Sequence, residues 1–64
     1  MNLYFVTIKS GNSFYVVSKD TESAYKKLLK VLEEEDMYFS EERKLESIYV
    51  LGEEWYGMDI YREE

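Results

Sequence analysis

The sequence predicts an α+β fold: a small antiparallel sheet of three to four strands with one helix packed on one face. Three observations carry that reading. Residues 20–36 (DTESAYKKLLKVLEEED) hold the only sustained helical period. Residues 3–9 (LYFVTIK) and 14–18 (FYVVS) are β-branched and aromatic, with Ser-Gly-Asn-Ser between them. A third strand-like run, residues 46–51 (ESIYVL), follows the helix. Sixty-four residues make one domain, residues 1–64.

The first two runs read as a hairpin. Gly11 and Asn12 tolerate positive φ, and a two-residue loop there sets Lys9 opposite Phe14, Ile8 opposite Tyr15, Thr7 opposite Val16 and Val6 opposite Val17. One face then carries Tyr4, Val6, Ile8, Tyr15 and Val17, and the helix is expected on it. The other carries Leu3, Phe5, Phe14 and Val16 with Thr7, Lys9 and Ser18. One helix covers only one face of a sheet, so Leu3, Phe5, Phe14 and Val16 are candidates for self-association.

In the helix, Ala24, Tyr25, Leu28, Leu29, Val31 and Leu32 recur at three- and four-residue spacings and form the inward face. Asp20 suits the N-cap, because its carboxylate accepts free amide hydrogens of the first turn. Glu22 with Lys26 and Lys30 with Glu34 are four-residue pairs. The C-terminal end breaks a local rule. Glu33, Glu34, Glu35 and Asp36 lie where the helix dipole disfavours negative charge.

Beyond the helix, Met37, Tyr38 and Phe39 are apolar and expected to fold back over the helix end, and Ser40-Glu41-Glu42-Arg43 reads as a short turn or single helical turn capped by Ser40. In the third strand Ile48 and Val50 share one side, and Gly52 ends it. Residues 58–62 read either as a fourth strand turning back beside the third or as a tail that stays partly loose. The helical crossover places the third strand beside the first and in the same direction as the second. The expected order is 2-1-3-4.

Composition restricts the chemistry. The chain has no Cys and no His, which excludes disulfides, thiol nucleophiles and His-based triads, and makes a zinc site unexpected. No cofactor or metal is expected, no catalytic residue stands out, and a non-enzymatic protein is the reading. Net charge is −6, with +3 in residues 1–32 and −9 in residues 33–64. Direct nucleic-acid binding is not expected from such a chain. No run reaches membrane-spanning length, no leader is recognisable, and a cytoplasmic location without membrane contact is expected. The stripe Lys19, Lys26, Lys27 and Lys30 reads as a solvated helix face.

Two acidic groupings are candidates for binding a protein with a basic surface. The first is Glu33, Glu34, Glu35 and Asp36. The second is Glu53 and Glu54 with Trp55, Tyr56, Asp59 and Tyr61, where aromatic side chains stand inside an acidic rim.

Residues 14–54 also resemble a group of small phage and prophage proteins. Their pattern is a "YVVA"-like strand, an acidic cap, an "A-Y" helix opening and a later "F-S-K/E-x-R-x-L-x-S-I" segment. Here these are residues 15–18, Asp20, Ala24-Tyr25 and residues 39–48. The motifs are packing motifs, and no site residue is carried over. The resemblance implies a phage-encoded accessory protein in a bacterial host cell, one that inhibits a defence system as anti-CRISPR proteins do, by occluding a host protein. Two other classes remain open: a homo-oligomer that sequesters a signalling nucleotide, and a self-associating structural or regulatory protein, of which a homodimer is the simplest form.

Overall fold

The computed structural model describes residues 1–54, together with the backbone of residues 60–62. The elements are β1 (Asn2–Ile8), β2 (Ser13–Ser18), α1 (Thr21–Glu34), β3 (Leu45–Gly52) and β4 (Ile60–Arg62). The fold is the expected one, an antiparallel sheet with a single helix. β1 is central, and β2 and β3 both pair antiparallel to it.

The hairpin loop differs from the expected one. The Ile8 N–H donates to the Asn12 carbonyl (3.1 Å), and the Gly11 N–H donates to the Ile8 carbonyl (2.9 Å). The loop is therefore three residues, Lys9-Ser10-Gly11, with Gly11 at φ +95°. That geometry is a turn closed by a left-handed residue, which glycine adopts without strain. The Thr7 and Ser13 hydroxyls are 2.9 Å apart just inside it.

The loop sets the register to Val6 opposite Phe14 and Tyr4 opposite Val16. Relative to a two-residue loop this is a slip of three positions. An odd slip turns every side chain of β2 to the opposite face. Phe14 and Val16 are thus not on the second sheet face. They sit in the core with Tyr4, Val6 and Ile8, while Tyr15 and Val17 join Leu3 and Phe5. On that second face Leu3 and Val17 are buried, and Phe5 and Tyr15 are half-buried. The Phe5 and Tyr15 rings meet edge-to-face, with centroids 5.3 Å apart.

The helix spans the expected stretch. Asp20 is the N-cap, accepting the Ser23 N–H at 2.7 Å. That backbone hydrogen bond holds the Asp20 carboxyl below its ordinary pKa. Ala24, Leu28 and Leu32 form the buried stripe against Val6, Ile8 and Val16. Lys27 spans helix and sheet, its ammonium donating to the Val17 carbonyl at 2.9 Å.

The position of β4 is the second correction. The sheet order is β3-β1-β2-β4, not 2-1-3-4. The chain leaves β3 at Gly52 and re-enters the sheet at Ile60, opposite Val16 on the far side of β2. Both outer edges were open to it. Pairing at β2 satisfies the backbone of the strand that carries Phe14 and Val16 into the core.

Two outcomes follow. Gly11→Ala is expected to lower stability by about 1–2 kcal/mol in chemical denaturation, from the left-handed backbone alone, because an added Cβ meets open space. Leu28→Ala or Leu32→Ala should cost about 2–5 kcal/mol, and wild-type melting of both variants would show that the stripe is misplaced.

Candidate protein-interaction surface

The acidic helix end has a structural explanation that propensity alone does not offer. The Met37 N–H donates to the Leu32 carbonyl (2.9 Å) and the Asp36 N–H to the Glu33 carbonyl (3.2 Å). Asp36 lies between them at φ +53°. This is a Schellman cap, which requires a left-handed residue just past the helix. Aspartate enters that region more readily than most residues with a side chain. Met37 and Leu32 belong to the same apolar cluster, the hydrophobic contact that accompanies such caps.

Arg43 supplies the cation that the helix end lacks in its own last turn. Its Nε donates to the Met37 carbonyl at 2.7 Å, and a terminal nitrogen is 3.5 Å from the Asp36 carboxylate. The Arg43 side chain is only 15% exposed. Its own carbonyl accepts the Tyr25 hydroxyl at 2.9 Å, tying the segment to the middle of α1.

These bonds fix a turn that presents Phe39. The Glu42 carboxylate accepts the Phe39 N–H at 3.0 Å, and the Phe39 carbonyl accepts the N–H groups of Glu42 and Arg43. Phe39, not Ser40, therefore occupies the cap position of the turn. Tyr38 beside it adopts φ +64°, and its side chain packs against the core cluster. A bulky residue in that region costs on the order of 1–3 kcal/mol, so the core contact and the hydrogen bonds together impose the conformation. The Phe39 side chain is left 80% exposed.

The candidate residues divide accordingly. Glu33, Glu34, Glu35 and Asp36 are all exposed, and the Arg43–Asp36 pair ties Asp36 to the Phe39 turn. Glu53 and Glu54 are exposed past the far end of β3, with Glu54 at φ +55°. Trp55, Tyr56 and Asp59 lie outside the described residues. The backbone of Tyr61 pairs with Tyr15 in the β2–β4 ladder. Among the described residues, no ion pair or hydrogen bond joins the two acidic groupings.

Several features were not singled out from the sequence. Phe39 and Arg43 are one pair; Phe39, expected to fold back over the helix end with Met37 and Tyr38, is instead exposed, while Met37 and Tyr38 do pack against the core. The other is the exposed run Tyr49, Val50 and Leu51 on β3. Three of the lysines are paired locally: Lys26 with Glu22 (3.0 Å), Lys44 with Glu41 (3.0 Å) and Lys9 with Glu46 (3.8 Å). Among the described residues no group of three or more acidic side chains is placed to hold a metal ion. No helix there is long and apolar enough to cross a membrane.

Compared with known proteins, the chain matches no family model, no curated protein and no solved structure.

Asp36→Gly isolates the cap. Glycine removes the cost of the left-handed backbone, while the exposed ion pair to Arg43 is worth little. A gain of about 0.5–1 kcal/mol is expected in denaturant melts. A loss instead would mean that the pair with Arg43 outweighs the backbone strain.

Proposed function

We propose that this chain is a non-enzymatic accessory protein that acts by binding another protein, with the Phe39 turn as its anchor. The observation that carries the proposal is an aromatic side chain held out at 80% exposure on a turn fixed from three sides. A large apolar group fixed before binding loses little conformational freedom when it enters a pocket. Asp36 is tied to the turn through Arg43, and the exposed Glu33, Glu34 and Glu35 precede it in the chain, so a pocket rimmed by Lys or Arg is the complementary surface. The resemblance of residues 14–54 to phage and prophage proteins supplies the setting: occlusion of a bacterial defence protein inside the host cell.

The test is capture from a bacterial lysate by the immobilised chain, read by mass spectrometry, with Phe39→Ser in parallel. Phe39 is solvent-exposed, so the variant keeps the fold. A stoichiometric protein is expected with the wild type, bound at least about tenfold more weakly by the variant. Equal capture by both proteins, or no stoichiometric partner, would sink the reading.

A further inference from the structure

We propose that two copies of this chain pair antiparallel along β3, joining their sheets into one continuous sheet. The proposal uses a different surface from the Phe39 turn and stands apart from it.

β3 ends the sheet, with β1 as its only ladder partner among the described residues. Tyr49, Val50 and Leu51 are 60%, 53% and 55% exposed. Successive residues of a strand point to opposite faces. Three consecutive apolar residues exposed together therefore mark an uncovered edge, not one uncovered face. A long apolar edge is a template for another strand.

The geometry favours a second copy. Tyr4 pairs with Val50 but Leu3 with Gly52, so Leu51 is an extra residue. Thr7 pairs with Ser47 but Ile8 with Leu45, so Glu46 is another. These bulges confine the regular edge to four residues, 47–50. A two-fold axis at Tyr49 sets Ile48 beside Val50 of the second copy within that edge. Apolar thus meets apolar on the helix side, and the aromatic rings of Tyr49 meet on the other. Charge selects the direction. At one end of β3 Lys44 and Lys9 are held in pairs with Glu41 and Glu46, and the other end runs into Glu53 and Glu54. Antiparallel pairing keeps Glu53 and Glu54 of the two copies at opposite ends of the contact, whereas parallel pairing would stack acid on acid.

The size of the core points the same way. A chain of 64 residues without Cys has no disulfide staple, and a shared sheet supplies the burial that a single small core lacks.

The test is sedimentation equilibrium of the full chain from about 1 μM to about 1 mM, the range in which weak self-association shows. The mass is expected to rise from that of the 7.7 kDa monomer toward twice that value. Val50→Lys places a charge on the edge and should move the midpoint to at least about tenfold higher concentration, with the circular dichroism of the wild type. Backbone hydrogen exchange on the wild type keeps the question open to an answer if that variant fails to fold: amides of residues 47–51 should gain protection as concentration rises. A monomer throughout the range overturns the proposal and leaves the edge to a foreign strand. A dimer with no concentration-dependent protection in residues 47–51 also overturns it, because the contact then lies elsewhere.

Discussion

The three-residue loop at Lys9–Gly11 decides which side of β2 faces the helix, and the packing of the whole molecule depends on that choice. With Gly11 at φ +95° the register brings Phe14 and Val16 beside Tyr4 and Val6. Leu28 and Leu32 then close over an apolar layer from both strands. A loop shorter by one residue would present Tyr15 and Val17 to the helix, and Phe14 would face away from it. Two large residues are exchanged for two others of similar volume, so composition alone does not choose between the arrangements. The backbone requirement of one glycine does.

A second constraint operates at the other end of the helix. The dipole of α1 ends among Glu33, Glu34 and Glu35, with no cation in the last turn. Arg43 arrives from eight residues past the cap and binds both the Met37 carbonyl and the Asp36 carboxylate. Its low exposure gives the charge-assisted bond to the Met37 carbonyl the greater weight, since the Asp36 carboxylate is itself exposed. The same side chain therefore stabilises the helix end and fixes the turn that holds out Phe39. Fold and candidate function share one arginine.

How far the sequence could be read follows from where information is local. The helix, its cap at Asp20 and its buried stripe were readable because period and capping are properties of neighbouring residues. The third strand was readable for the same reason. The face of Phe14 and Val16 was not, since it hinges on whether the loop is Gly11-Asn12 or Lys9-Ser10-Gly11, a difference of one residue that strand patterning does not register. The partner of the fourth strand was not, because β2 and β3 each offered an open edge and strand patterning does not rank them. Of the candidate site residues, the acidic run at 33–36 was found by its conflict with the dipole. Phe39 was missed because exposure arises from the Arg43 and Glu42 contacts, which span the turn and are invisible to hydropathy.

The two edges of the sheet are unequal, and that inequality limits what self-association can build. β4 occupies the β2 side and is only three residues long, while β3 extends over eight. A short outer strand is a poor template for further pairing. Pairing of β3 with its own copy is isologous, so it consumes the long edge of both molecules at once and closes. Pairing of β3 with the β4 side would be head-to-tail and open-ended. The bulges at Glu46 and Leu51 shorten the matching segment and keep β3 from accepting strands of arbitrary register. Net charge acts in the same direction. Each copy adds −6, and at physiological salt that repulsion is screened beyond about 8 Å. A single close contact along residues 47–50 tolerates it, whereas stacking many copies would accumulate it. The edge is thus apolar enough to pair once and too short, bulged and charged to pair indefinitely.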